Sequence, residues 1–190
     1  MRRVLTCLVL MAAAFGTVAG ARPCAAAEAA AGGPSEYLVK GAFLYNFMKF
    51  VEWPPASLSD PLVVGVLGPA PLGDIEAAFK DKTVRGHRVV VRGYDDAGRL
   101  GPCHVLFITT DAAGQLRTAL RAVAGAPVLT VTDLPDAVQP EAVINLVAVD
   151  TRLGFQVNLD LAQASGLQVS SKLLGLAKSV RGGAAPGKTP

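Results

Sequence analysis

Few residues in this chain of 190 are of a type and spacing that could do chemistry. Cys103 and His104 are adjacent, and a thiol beside an imidazole would suggest an activated nucleophile or a pair of metal ligands. Neighbours on a strand point to opposite faces, so the two cannot readily serve one substrate or ion. The chain holds only two histidines, His87 and His104, and a histidine-based metal site would have to lean on carboxylates. His104 reads as a satisfied core or edge histidine, and His87 as a solvated loop residue beside Gly86. Asp95 and Asp96 could divide general acid and base work only in a shielded site that separates their pKa values. With Gly93, Tyr94 and Gly98 around them they read instead as a polar turn. Asp74 and Glu76 fall in the first turn of a helix, where negative charge suits the dipole. Ser170-Ser171-Lys172 has the residue types of a serine/lysine nucleophile, but a helix cap followed by a surface lysine explains it. Residues 65–73 lack both G-x-G-x-x-G and a G-K-[ST] ending, and neither G-x-S-x-G nor H-E-x-x-H occurs. The residues point to no catalytic site, no metal and no cofactor.

The elements therefore matter more for the surface they build than for a reaction they position. Residues 40–55, KGAFLYNFMKFVEWPP, are apolar on almost every helical face, with only Lys40, Asn46 and Lys49 interrupting before Glu52. An all-round apolar pattern means burial on several sides. Pro54 and Pro55 place the end of this helix at Trp53, near the domain surface. Residues 62–68 are a continuous apolar run, the mark of a strand covered on both faces. A short helix follows over 72–79 with Ile75, Ala78 and Phe79 on one side, then a strand within 87–94. Residues 103–108 and 127–132 are two more buried strands. The helix between them, 112–123, turns Leu116, Leu120 and Val123 inward and Arg117 and Arg121 outward.

This alternation predicts an α/β fold: a mainly parallel sheet flanked by helices on both faces. The pattern then changes. Residues 143–149 and 153–159 read as a C-terminal antiparallel hairpin with Asp150 at the turn. Asn158 or Asp160 caps a short helix that Gly166 ends, and 167–169 is extended. Ser170 or Ser171 then caps a last helix over 172–180, burying Leu173, Leu174, Leu176 and Ala177.

The first residues carry an address. Arg2 and Arg3 precede an apolar stretch, and cleavage sites of the A-x-A kind end at Ala21 and at Ala27. That is the layout of a Sec-type signal peptide, residues 1–27, and it predicts a periplasmic protein. An Ala/Gly-rich leader over 28–36, a domain over 37–181 and a disordered tail over 182–190 complete the organisation. The whole chain has 18 basic and 15 acidic residues, and cleavage after Ala27 removes Arg2, Arg3 and Arg22 and no acid. With the two signs balanced, a nucleic-acid partner loses its electrostatic basis. Cys7 and Cys24 depart with a cut after Ala27, leaving Cys103 as a lone thiol in an oxidising compartment. A cut after Ala21 would leave Cys24 in a flexible leader, which argues against a Cys24–Cys103 bond.

Three segments carry a resemblance: KGAFLYNFMKFVEWP at 40–54, CHVLFI at 103–108 and FQVNLDLAQASGLQVSSKLLGLA at 155–177. Over roughly 37–180 the chain resembles the YfiR family of exported proteins, and PVLTV at 127–131 fits the same pattern. The resemblance implies a periplasmic α/β domain, commonly a homodimer, without enzyme activity. It implies repression of an inner-membrane diguanylate cyclase (YfiN) by binding its periplasmic PAS-type sensor domain. It implies further that cyclic-di-GMP falls and biofilm formation is restrained. Members under redox control carry extra cysteines, so Cys103 is the one candidate redox residue here. The family often has a GG pair where this chain has Gln139-Pro140-Glu141.

Partner-binding candidates are Phe155, Gln156, Asn158, Leu167, Gln168 and Val169, which mix apolar and polar types in a short irregular region. Phe155, Leu167 and Val169 could equally fill the core. A second reading is an envelope small-molecule-binding protein, with its ligand at the carboxyl ends of the parallel strands near Gly68 and Thr109-Thr110-Asp111.

Overall fold

A computed structural model describes residues 35–135, 141–149 and 152–183. The signal peptide, Cys7, Cys24, most of the leader, Gln139-Pro140, the hairpin turn at Asp150 and residues 184–190 lie outside the described residues.

Helix α1, Glu36–Phe50, starts where Ser35 accepts a hydrogen bond from the Leu38 N–H at 3.1 Å. It buries Gly41, Leu44, Phe47 and Met48, together with Lys40. The apolar run does form a helix enclosed on several sides, but the helix ends at Phe50, not Trp53. Val51 is extended and opens strand β1, Val51–Glu52, which pairs antiparallel with β9, Gln168–Val169. Trp53 is not at the surface: it is 6% exposed, and its indole N–H has no acceptor among the described residues. Pro54 sets the latest point at which a helix could stop, and the partner strand stops it sooner.

The main sheet has eight strands in the order β10-β8-β7-β6-β5-β2-β4-β3. Its centre is parallel: β2 (Leu62–Leu67), β4 (His87–Tyr94), β5 (Val105–Ile108), β6 (Leu129–Thr132) and the start of β7 (Ile144–Val149). β8 (Arg152–Asn158) returns antiparallel to β7 as the expected hairpin. β3 (Thr83–Val84) lies antiparallel on β4, so His87 belongs to a strand and not to a loop. Arg85 and Gly86, with φ of 52° and 83°, make the tight turn between them.

Side chains alternate between two cores. Val64, Val66, Val105, Phe107, Leu129 and Val131 face α1, with α2 (Leu72–Ala77) and the C-terminal elements. Leu67, Leu106, Ile108 and Val128 face the other side, where Ala119 of α3 (Leu116–Ala122) covers them. The helix expected over 112–123 opens as a 3-10 helix, Thr110–Gln115, and only then becomes α3.

The C-terminal part departs most from the sequence pattern. Asn158 caps α4 (Leu159–Ala164) by accepting from the Leu161 N–H at 3.1 Å, and Gly166 (φ 68°) ends it. Ser170 caps α5, but α5 is only Ser171–Leu174. Ser179–Arg181 is strand β10, parallel to β8. The expected burial of Leu176 is overturned: it is 71% exposed. Helical spacing brought Leu176 into the apolar set, and pairing of the following residues with β8 takes it out.

Gly41 lets α1 and α2 approach closely: a Cβ there would lie 2.8 Å from the Ala78 Cβ and 3.0 Å from the Ile75 carbonyl. Gly41→Val should therefore cost about 1–3 kcal/mol in urea unfolding. Gly73→Ala, whose new Cβ meets nothing within 4 Å, should instead gain up to about 1 kcal/mol of helix propensity. Equal effects from both would contradict the tight α1–α2 contact.

Candidate functional site

Residues with chemical potential are dispersed through the fold, and most are spent on structure. His104 is buried; its Nδ1 accepts the Val63 N–H at 2.9 Å, and its Nε2 lies 3.4 Å from the Ser59 hydroxyl. That leaves the other nitrogen to carry the proton, and burial pushes the pKa below the ordinary 6.5. Cys103 is a free thiol whose pKa burial raises to about 11, so it has little thiolate character at neutral pH. Both residues border a cavity of about 400 Å³, yet the imidazole is engaged elsewhere. Asp96 accepts the Gly98 N–H at 2.8 Å in a 3-10 helix, Ala97–Arg99, as the polar-turn reading expects. Asp74 accepts the Ser35 hydroxyl at 2.6 Å in the first turn of α2. Ser170 accepts the Lys172 N–H at 3.2 Å as a helix cap. Among the described residues, no group of three or more His, Cys, Asp and Glu side chains is placed to hold a metal ion.

At the carboxyl ends of β2 and β5 the chain packs tightly beside Gly68. Thr109 donates to the Leu67 carbonyl at 3.1 Å. A Cβ on Gly68 would collide with the Thr109 hydroxyl and lie 2.9 Å from the Ala112 Cβ. Gly68, at φ 101°, allows this packing.

One polar cluster nearby joins residues far apart in the chain. Lys40 Nζ lies 2.5 Å from Asp133 and 2.5 Å from Glu36, with the Lys40 and Asp133 side chains 7% and 5% exposed. Thr110 donates to Asp133 as well, at 3.0 Å to the carboxylate and 2.7 Å to its carbonyl. The Lys40 ammonium also sits 4.7 Å from the Tyr37 ring centre. Burial lowers the Lys40 pKa, but the hydrogen bonds to Asp133 and Glu36 outweigh it and the net shift is upward. A lysine in an otherwise apolar helix was the only hint of this pair.

The partner-binding candidates fall into two groups. Phe155 and Leu167 are 5% and 1% exposed and belong to the main core. Phe155 packs edge-on against Phe47 at 5.0 Å and Phe43 at 6.2 Å. Asn158 is half-buried and spends its side chain on the α4 cap. Gln156 is half-buried on β8 opposite Ser179, Gln168 is exposed on β9, and Val169 is half-buried beside it. The large apolar residues that stand exposed among the described residues are Leu176 and Val180, at 71% and 40%.

The fold is a parallel-centred α/β sheet whose C-terminal part exposes Leu176 and Val180. The chain belongs to the YfiR/HmsC-like family, whose model matches residues 37–178. That family is one of periplasmic, non-catalytic regulators of diguanylate cyclase signalling. No helix among the described residues is long and apolar enough to cross a membrane. No curated protein sequence matches the chain. Among solved structures, it is similar to an "ABC domain in complex with L-Trp" from Streptococcus pneumonia, at 10% identity and a TM-score of 0.49. That match covers 63% of this chain, which spans about half, 56%, of the other.

Two stability tests follow. Lys40→Met leaves Asp133 buried without its cation and should cost about 3–5 kcal/mol, whereas the double change Lys40→Met, Asp133→Leu should cost less than the single one. A double variant less stable than Lys40→Met would contradict an orphaned carboxylate as the cause. For His104, the folded pKa lies below the unfolded 6.5. Its contribution is therefore complete above about pH 6.5 and is lost as pH falls toward the folded value. Denaturant melts between about pH 6.5 and 5 should show a loss that is shallower in His104→Gln, which keeps an acceptor for Val63.

Proposed function

We propose that this protein is a non-enzymatic periplasmic repressor that binds the periplasmic PAS-type sensor domain of an inner-membrane diguanylate cyclase and lowers cyclic-di-GMP output. The observation that carries this reading is the family match over residues 37–178. A regulator of this kind needs no reactive group. It needs a surface that binds the partner's inactive state more tightly than its active one. In this reading residues 1–27 are the export signal, and residues 37–181 are the working domain.

The partner surface is the C-terminal part of the domain. Gln156, Asn158, Gln168 and Val169 contribute its polar and half-buried contacts, and Leu176 and Val180 its exposed apolar ones. Phe155 and Leu167 support it from the core. Exposed apolar residues in a polar surround are the usual anchors of protein interfaces. A redox role for Cys103 runs against the raised pKa of its thiol, so repression in this reading does not require it. A homodimer is compatible with the same function.

The test is a pull-down of the protein from solubilised inner membranes, with cyclic-di-GMP measured in a deletion strain. Recovery of a cyclase and a rise in cyclic-di-GMP are expected; unchanged cyclic-di-GMP with no membrane partner would overturn the reading. Leu176→Asp should abolish recovery of the cyclase with an unchanged melting temperature. Phe155→Ala should instead destabilise the fold by about 3–5 kcal/mol.

A further inference from the structure

Helix α3 carries Arg117 and Arg121 one turn apart, both exposed. Like charges at this spacing repel, and the residues three and four positions from them, Ala113, Gly114, Thr118, Leu120, Ala124 and Gly125, offer no carboxylate. Arg181 on β10, equally exposed, borders the same groove of about 460 Å³. None of the three takes part in a salt bridge among the described residues. Glu141 is the one acid along the groove, so the lining is cationic by two charges. Beneath the guanidiniums the wall is apolar, with half-buried Leu120 of α3 facing the same space as Leu161 of α4. The volume is within the ~300–1,000 Å³ typical of small-molecule sites.

We infer that this groove binds a soluble phosphate monoester with an apolar body, its head among Arg117, Arg121 and Arg181 and its body against Leu120 and Leu161. A dianion matches the excess of two positive charges. A phosphate also offers three oxygens to guanidinium forks, which bind such groups in parallel pairs of hydrogen bonds. The ligand relieves the repulsion that α3 carries by itself. It also ties α3 to β10, the strand that follows Leu176 in the chain. The site is distinct from the strand ends at Gly68, which do not line the groove, and its test reads the chain alone, without any cyclase.

The experiment is isothermal titration calorimetry of the full chain with octyl phosphate, inorganic phosphate, octanoate and octyltrimethylammonium, at low salt. One equivalent of octyl phosphate should bind. Inorganic phosphate lacks the apolar body and octanoate the second charge, and each should bind at least about tenfold more weakly. The cation should not bind. Arg117→Gln and Arg121→Gln should each weaken octyl phosphate by at least about tenfold, the scale of one charged hydrogen bond. Arg92→Gln, an exposed arginine on β4 outside the groove, should leave affinity unchanged. Added sodium chloride should weaken binding by screening. No binding of octyl phosphate, equal binding of octanoate or the cation, or an equal loss in Arg92→Gln would each overturn the inference. So would capture by phosphatidylglycerol vesicles without binding of monomeric octyl phosphate, because that pattern belongs to a membrane surface.

Discussion

The enclosure of α1 is the constraint on which the rest of this structure depends. A helix with apolar residues on nearly every face can be stable in water only if separate elements cover separate sides. Tyr45 meets Phe79 at 6.1 Å beyond the end of α2, and Phe43 and Phe47 meet Phe155 of the hairpin. At the helix end, Val51 pairs with Val169, and Ser170 donates to the Phe50 carbonyl at 2.9 Å. Leu44, Phe47 and Met48 are essentially inaccessible, and each is worth roughly 1.5–3 kcal/mol of burial. An exposed pair such as Arg99–Asp96, 3.7 Å apart with both side chains largely in water, contributes about 0–1 kcal/mol. Enclosure of α1 outweighs the surface ion pairs. Its cost is the desolvation of Lys40, answered by Asp133 from the end of β6.

Such a helix ties distant parts of the chain together, and this explains what could be read in advance. The strands at 62–67, 105–108 and 129–132 were legible because both their faces are covered, which turns alternation into a continuous apolar run. The parallel centre and the hairpin followed from the order of such runs. The ends of α1 and α5 were not legible, because both are set by partners far away in sequence. Val51 leaves the helix to meet β9, and Ser179–Arg181 leaves a helical pattern to meet β8. Local propensity is a weak prior where a strand partner waits. The Lys40–Asp133 pair was hidden for the same reason: Glu36 pairs with Lys40 along the helix, but Asp133 lies 93 residues away.

The candidate surface shows a different limit. Core and interface draw on the same apolar residue types, so composition cannot separate them. Phe155, Leu167 and Leu176 look alike in sequence, and two are in the core while the third stands in water. What distinguishes them is geometry: Phe155 and Leu167 face α1 or its covering elements, and Leu176 follows the last turn of α5. The polar candidates divide likewise. Asn158 is used up by a helix cap, whereas Gln168 faces outward on a two-stranded sheet. Which apolar residue would stand exposed was not legible in the sequence.

If the C-terminal surface is where the partner sits, its attachment to the rest of the domain bears on how well it can discriminate. A flexible anchor would lose roughly 0.5–1.5 kcal/mol per side chain ordered on binding, and would fit both partner states about equally. The backbone that carries Leu176 is held on both sides. Its own N–H donates to the Leu173 carbonyl at 3.0 Å, and two residues later Lys178 donates to the Phe155 carbonyl at 2.8 Å. Beyond β10, the Gly183 N–H donates to Asp160 at 3.1 Å. The bond to Phe155 matters most, because Phe155 is itself clamped between Phe43 and Phe47. An exposed leucine fixed in this way is positioned by the enclosed helix beneath it. Under that condition, a backbone fixed in this way would let a surface without chemistry favour one conformation of its partner over another.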